Sequence, residues 1–147
     1  GKIMAIVERL AKHVADFGVL YTKIHNYHWH VGGLNFLVIH QMTDGYYEDV
    51  ADSYDSLAER ILQLGGTAPA SLKEYLALTS IKEETKKSFT AKEVITGIKT
   101  DFEYLVAELH ETRKAAADSN DAATDSLLTD IIAGLEKKIW MLNAALK

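Results

Sequence analysis

Apolar residues recur with a period near 3.6 along most of this chain, and this period predicts long amphipathic helices. The first helix is predicted from about Ile3 to Val31, and its apolar face consists of Ile3, Ile6, Val7, Leu10, Val14, Phe17, Tyr21, Ile24 and His28. Residues 32–35 predict a tight turn. A second helix is predicted from about Phe36 to Leu64, where two glycines follow, as is typical of a helix C-terminus. The two segments therefore predict an antiparallel hairpin.

The second half of the chain predicts another hairpin, reached through a long connection. Residues 67–89 are long enough to cross the molecule, and a short helix is predicted over Ser71–Leu78. The run Thr90-Ala91-Lys92-Glu93 spells a capping box that opens a third long helix, to about Ala117. Residues 118–121 break it, and a fourth long helix continues from about Ala122 to the end. Two hairpins joined by one long crossover predict an all-α, ferritin-like four-helix bundle.

Composition limits what this bundle can be. A chain of 147 residues, 48% of them hydrophobic, can bury the core of one domain, so we expect a single domain over residues 1–147. The absence of cysteine excludes disulfides and thiolate metal sites and leaves oxygen and imidazole ligands, which suit iron or manganese. Because no apolar run is long enough for a membrane span and Glu8-Arg9 interrupts the beginning, we expect a cytoplasmic protein without a signal peptide.

Two pairs of candidate metal ligands share one stripe of the second helix. His40 and Asp44 are four residues apart, as are Asp55 and Glu59, so each pair projects from one side of the helix. Asp55 follows Asp44 by 11 residues, close to three whole turns. Those residues span roughly 16 Å of helix, whereas a metal ligand must lie about 2 Å from its ion. One helix therefore cannot close the site alone.

A second copy of the chain would complete this site. Antiparallel packing across a two-fold axis near residues 49–50 would bring Asp55 and Glu59 opposite His40 and Asp44, and would create two identical sites per dimer. The competing design, a di-iron site inside one bundle, requires Glu-x-x-His motifs. The sequence contains none. The spacing therefore favours a site shared between two subunits.

His28 adds a second imidazole. In an antiparallel hairpin, residues equidistant from the turn lie at the same height, and the turn is centred near residue 34, so His28 is predicted to lie level with His40. Two imidazoles and three carboxylates are a set that holds one or two iron ions and leaves positions open for an oxidant. Five residues that meet three independent geometric conditions favour a metal site over isolated surface residues.

The remaining histidines are less informative. His13 and His110 meet no such geometric condition, and we expect both at the surface. His25 lies three residues before His28 and either joins it as a ligand or points away. His30 lies at the end of the first helix and either caps carbonyl groups or binds a ligand.

Aromatic and acidic residues near these helices also leave alternatives open. Trp29 and Tyr27 either intercept oxidising equivalents or pack at an interface. Glu48, Asp49 and Asp52 predict a solvated face, and become candidates for mineral nucleation if a cavity lies over them. Four aspartates around the start of the last helix either complement the helix dipole or line an acidic pore mouth that attracts cations: Asp118, Asp121, Asp125 and Asp130.

Several runs of the sequence carry a family resemblance. These runs are Asn26-Tyr27-His28-Trp29-His30-Val31, Leu34-Asn35-Phe36, His40-Gln41-Met42-Thr43-Asp44, Asp55-Ser56-Leu57-Ala58-Glu59-Arg60 and Leu64-Gly65-Gly66. Together they resemble the signature of the Dps family of bacterial mini-ferritins. The resemblance covers essentially the whole chain, including Ile139-Trp140-Met141-Leu142. Two further runs resemble its neutrophil-activating-protein branch: Lys82-Glu83-Glu84-Thr85-Lys86 and Ser88-Phe89. All five ligand positions match the family motif.

This resemblance implies a hollow homododecamer built from two-fold dimers, with ferroxidase centres at the dimer interfaces. It implies oxidation of Fe(II), preferably by hydrogen peroxide, with up to two iron ions per centre, and storage of the ferric mineral as protection against oxidative stress. His28, His40 and Asp44 match the family ligands from one subunit, and Asp55 and Glu59 match those from its two-fold mate. The aspartates at the start of the last helix resemble the family's three-fold pore.

Two departures from the family pattern bear on function. Because the first helix is predicted to begin at about residue 3, we expect no lysine-rich N-terminal extension of the kind with which some members bind DNA, and His30 stands where many members carry asparagine. The net charge is −5, and the 16 basic residues are scattered. These features favour a peroxide-consuming ferroxidase and iron store over the alternative, a nucleoid protein that binds DNA and shields it physically.

Overall fold

The computed structural model describes all 147 residues, as five α-helices. The helices are α1 (Lys2–His30), α2 (Phe36–Gln63), α3 (Leu72–Leu78), α4 (Ala91–Asp118) and α5 (Ala122–Ala145). The predicted helix ends agree to within one or two residues, and the short helix α3 lies in the crossover as predicted. None of these helices has a stretch that is both long and apolar enough to cross a membrane.

Local sequence determines where the helices begin. Gly33 has a φ of 102°, a left-handed conformation that glycine adopts without strain, and this allows the chain to reverse between α1 and α2. The predicted capping box opens α4: Thr90 Oγ1 accepts the Glu93 N–H at 3.1 Å, and the Glu93 carboxylate accepts the Thr90 N–H at 3.0 Å. Asp121 caps α5 by accepting the N–H of Thr124 at 3.1 Å.

Ion pairs show how the four long helices are arranged. They join α1 to α4 and α2 to α5 through Arg9–Glu108, Lys23–Asp101, Asp49–Lys138 and Arg60–Asp121. From Arg9 to Lys23 along α1, the partner on α4 moves back from Glu108 to Asp101. The two ion pairs between α2 and α5 run in the same way, so both helix pairs are antiparallel. Because α1 and α2 form a hairpin, the end of α2 and the start of α4 lie at opposite ends of the bundle. Residues 64–90 must therefore run its full length, as the sequence predicted.

The core lies between the four long helices and contains 30 buried apolar residues. Among its fully buried members are Phe17, Leu20, Leu57, Ile61, Phe102, Leu105 and Leu128. Two residues of the apolar face predicted for α1 lie outside it, since Ile3 is 55% exposed and Tyr21 is 38% exposed. The core therefore uses the inner face of every long helix and leaves one face of each outside.

His13 is fully buried, so the prediction of a surface position was wrong. It follows the buried Leu10 by three residues, which places it on the inner face of α1. Its Nε2 lies 2.7 Å from Thr112 Oγ1 on α4, while its Nδ1 has no hydrogen-bond partner. Burial, reinforced by the nearby charges of Arg9 and Lys12, lowers the pKa of His13 to about 3. The histidine is therefore neutral inside the bundle. His110 is partly buried.

Candidate metal centre

The end of α1 and the start of α2 bring two of the predicted ligands together. The rings of His28 and His40 stack with their centroids 3.7 Å apart and their planes 12° from parallel. This contact confirms that the two residues lie level across the hairpin. The ring of Phe36 also stacks on His40, at 5.1 Å. The imidazole of His40 therefore packs against the rings of both His28 and Phe36.

A hydrogen bond determines which nitrogen of His40 is free. Its Nδ1 lies 2.9 Å from the carbonyl oxygen of His28. A carbonyl oxygen only accepts hydrogen bonds, so Nδ1 of His40 carries the proton and donates it. In the neutral imidazole, the Nε2 of His40 then holds the lone pair through which an imidazole binds a metal ion.

A hydrogen bond with Thr43 determines which nitrogen of His28 is free. The Thr43 hydroxyl is fully buried and donates to the carbonyl oxygen of Ile39 at 2.7 Å. Because its proton is used there, the hydroxyl accepts a hydrogen bond from the Nδ1–H of His28, 2.9 Å away. The Nε2 of His28 is therefore free as well. Outer hydrogen bonds of this kind orient metal-binding histidines in proteins.

Burial keeps His28 neutral. The residue is 6% exposed, and this burial lowers its pKa, with a further contribution from the charge of His40. The charge of Asp44 opposes the shift without reversing it. Since a protonated imidazole cannot bind a metal ion, the lowered pKa favours metal binding by His28 near neutral pH.

Asp44 and His25 both interact with Tyr47. Desolvation raises the pKa of Tyr47 most, and the charge and hydrogen bond of Asp44 raise it further. The ring of His25 packs on Tyr47 with centroids 3.9 Å apart and lies 6.3 Å from the ring of His28, edge-on. The Nδ1–H of His25 donates to the carbonyl oxygen of Tyr21 at 2.8 Å. His25 therefore borders the two stacked histidines through Tyr47 and is not stacked with them.

His30 contacts a carbonyl group, as one of its two interpretations predicted. Its Nδ1 lies 3.1 Å from the carbonyl oxygen of Asn26 and 2.7 Å from the side-chain oxygen of the same residue. The side-chain nitrogen of Asn26 donates in turn to the carbonyl oxygens of Glu84 and Lys86. His30 is thus part of a hydrogen-bonded chain that attaches the crossover to α1.

The two aromatic neighbours differ in environment. Tyr27 is 4% exposed and packs edge-on against Phe89 of the crossover, with ring centroids 4.9 Å apart. Trp29 is 63% exposed and contacts the ring of His25 at 5.3 Å. Core packing therefore accounts for Tyr27, whereas Trp29 presents an aromatic surface beside the candidate site.

Asp55 and Glu59 are exposed on α2, apart from the stacked histidines. No group of three or more His, Asp or Glu side chains within the single chain is close enough to hold a metal ion. At about 100° per residue, one set of α2 positions lies within about 60° of a common direction. We call this set the ligand stripe: Leu37, His40, Gln41, Asp44, Glu48, Ala51, Asp55, Ala58, Glu59 and Leu62. None of them is buried, and the buried face of α2 lies on the opposite side.

The four aspartates of the predicted pore do not gather within one chain. Asp121 caps α5 and pairs with Arg60 at 2.9 Å, while Asp125 lies 3.5 Å from Arg113. Asp118 is exposed at the end of α4. Helix capping and ion pairing thus account for two of the four, and a pore would require other subunits.

A cavity covers part of the acidic face considered for mineral nucleation. It has a volume of about 340 Å³, and Asp49, Asp52 and Asp130 contribute to its lining. Lys138 also lines it and pairs with Asp49 at 2.8 Å. Glu48 lies outside this lining, on the ligand stripe. Two of the three acidic residues thus border a cavity, and Lys138 pairs with one of them, so mineral nucleation at this face stays a prediction.

Comparison with known proteins matches the chain to a ferritin-like domain over residues 7–147. It is 52% identical to Antigen TpF1 of Treponema pallidum, over 99% of this chain and 82% of that protein. It is 43% identical to the DNA protection during starvation protein of Helicobacter pylori, over 93% of this chain and 96% of that protein.

Solved structures show the same fold. The crystal structure of TpF1 superimposes with a TM-score of 0.98 at 51% identity and covers 99% of this chain and 94% of that chain. A Dps protein from Vibrio cholerae, described as a member of a broad superfamily of ferritin-like diiron-carboxylate proteins, gives a TM-score of 0.96 at 32% identity, covering 99% and 91% of the two chains.

Proposed function

Since the chain belongs to the Dps family of ferritin-like proteins, we propose that it oxidises Fe(II) at centres shared between two-fold-related subunits. Hydrogen peroxide is the preferred oxidant, and the ferric product is stored inside a shell of twelve subunits. Iron is both substrate and cargo, with up to two ions per centre. The observation that carries the proposal is the ligand stripe, which holds four of the five ligands as two separate pairs on a face of α2 that its own bundle leaves uncovered.

The donor set fits iron. His28 and His40 each present a free Nε2, because the Nδ1–H of each ring is already donated to an oxygen. Asp44 and the partner's Asp55 and Glu59 would add carboxylate oxygens. Imidazole and carboxylate ligands suit Fe(II), and five protein ligands shared by one or two ions leave positions open for an oxidant.

Each group has a defined part in this chemistry. The two imidazoles hold Fe(II) at the α1–α2 hairpin, and the partner's carboxylates balance the added charge after oxidation. Two Fe(II) ions give two electrons to one hydrogen peroxide, whose O–O bond breaks, and two protons complete two waters. The reaction removes both reagents that generate hydroxyl radical, so protection against oxidative stress follows from the same site.

Subunit mixing tests the shared centre. His40→Ala alone and Glu59→Ala alone should each abolish fast Fe(II) oxidation, because every site then lacks a ligand. In a mixed dimer, one site receives both altered residues and the other receives neither. Random pairing makes half of the dimers mixed, and each has one intact site of two, so co-refolded mixtures should recover roughly a quarter of the wild-type rate.

A matched mixture provides the control. His40→Ala co-refolded with Asp44→Ala should stay inactive, because both residues come from the same side of each centre and every site in a mixed dimer lacks one ligand. An intrachain site would leave both mixtures inactive. If native mass spectrometry detects mixed dimers and neither mixture oxidises Fe(II), the shared centre is wrong.

Two further measurements test the rest of the proposal. Light scattering should give a mass near twelve times the 16.3 kDa of one chain, and a mass near that of a monomer would contradict the shell. Stopped-flow mixing of Fe(II) with peroxide and with oxygen should show faster oxidation by peroxide. Equal rates would contradict the proposed preference.

A further inference from the structure

Two exposed leucines extend the ligand stripe at its ends. Leu37 is 77% exposed and Leu62 is 55% exposed. Leu37 precedes His40 by about one turn, and Leu62 follows Glu59 by about one turn. A single exposed leucine is ordinary on a protein surface. Their positions relative to the ligands are what make these two informative.

The metal ligands define a pairing rule that does not involve the leucines. A two-fold axis between residues 49 and 50 pairs positions whose numbers add to 99. This rule places His40 opposite the partner's Glu59, the outer pair of the proposed centre. It also places Leu37 opposite the partner's Leu62. The spacing of the ligands thus brings together two apolar side chains that the single chain leaves in solvent.

The other large exposed apolar residue of α2 does not follow this rule. Val38 is 67% exposed, but it lies about 100° around the helix from Leu37. The position that the rule assigns to it is Ile61, which is fully buried in its own bundle. The match is therefore specific to one residue at each end of the stripe.

We propose that Leu37 packs against the partner's Leu62 at each end of the paired α2 helices, forming a leucine clasp. The inference rests on the shared centre proposed above. Sliding one α2 along the other by one turn would shift the partner's carboxylates by about 5.4 Å and would also separate the leucines. The clasp therefore holds the register that assembles the ligands. It also covers the outer end of each centre with apolar side chains, and a drier site strengthens the attraction between carboxylates and cation.

Engineered cysteines test the clasp in a chain that has none of its own. In the variant Leu37→Cys/Leu62→Cys, the two thiols of one chain are 25 residues apart on a single helix, or about 38 Å. A disulfide requires Cα atoms within about 7 Å, so any bridge must join two chains. Oxidation of the metal-free, assembled protein should convert it to covalent dimers on a denaturing gel, with loss of both thiols.

Two controls test whether crosslinking depends on the register of the paired α2 helices or only on their being close together. Gln41→Cys/Leu62→Cys uses the same stripe but lies one turn out of register, so crosslinking should be lost. Each of the single variants Leu37→Cys and Leu62→Cys should remain monomeric on the same gel, because the axis places identical residues far apart. Equal crosslinking of the Gln41 pair and the Leu37 pair would overturn the clasp.

A failure of the leucine clasp can be distinguished from a failure of the shared centre. If the Leu37 pair does not crosslink while the His40→Ala and Glu59→Ala mixture recovers activity, the clasp is wrong and the shared centre stands. If neither occurs, the two-fold arrangement itself is wrong. Crosslinking confined to the Leu37 pair supports the clasp, because the oxidation is carried out without metal and reports only the register of the helices.

Discussion

Replacing Thr43 with valine should weaken metal binding without altering any of the five ligands. The substitution keeps the shape of the side chain but removes the hydroxyl that accepts the Nδ1–H of His28. Thr43 is fully buried and His28 is 6% exposed, so water cannot easily replace the lost acceptor. Among the five ligand side chains, His28 is the one whose hydrogen bond the substitution removes.

Loss of this hydrogen bond weakens metal binding. Metal binding through Nε2 requires the proton on Nδ1, and in the valine variant this buried donor then has no partner, at a cost of about 1–3 kcal/mol that the metal-free form avoids by moving the proton. If the proton moves to Nε2, the lone pair needed for metal binding is lost. Loss of such an orienting partner typically lowers metal affinity by roughly 10–100-fold, which corresponds to about 1.4–2.8 kcal/mol.

Isothermal titration with Zn(II), which is not oxidised, measures this affinity directly on the assembled protein. Thr43→Ser keeps a hydroxyl and should stay close to wild type. Thr100→Val removes an exposed hydroxyl that donates to the carbonyl oxygen of Thr96 at 3.0 Å and should have no effect. Wild-type affinity in Thr43→Val, or an equal loss in Thr43→Ser, would refute the reasoning.

Three other outcomes are expected. Gly97→Ala should lower the free energy of unfolding by about 1–3 kcal/mol, because a Cβ at this position would overlap Oη of Tyr27. Gly134→Ala is the control, since a Cβ there meets no other atom, and equal melting temperatures for the two variants would contradict this prediction. With a net charge of −5, the protein should not retard plasmid DNA at neutral pH and physiological salt; tight binding that weakens steeply with salt would show otherwise. The pKa of His13 is about 3 in the folded state and about 6.5 when unfolded, so its contribution to stability is complete above pH 6.5 and is lost as the pH falls towards 3. Denaturant titrations should show that wild type loses about 2 kcal/mol more between pH 7 and pH 5 than His13→Gln does, and parallel pH profiles would disprove this.

Local sequence was sufficient for the helices and for the ligand stripe. Hydrophobic period, the capping box at Thr90 and the glycines of the turn act over a few residues, so they predict helix ends without knowledge of the fold. The alignment of His40 with Glu59 follows from helix geometry alone. The level pairing of His28 with His40 required only the centre of the turn.

Contacts between residues distant in the sequence decided the rest. The helical period already places His13 on the same face of α1 as Leu10 and Phe17, but only the packing of α4 against α1 places it beside Thr112, 99 residues away. The free nitrogen of His28 depends on Thr43, whose hydroxyl is oriented by the carbonyl oxygen of Ile39. Hydrogen bonding between helices depends on which surfaces meet, and periodicity along one helix does not specify the partner. The chemical state of the histidines was therefore decided by the tertiary structure, whereas their spacing along the helices was already determined by the sequence.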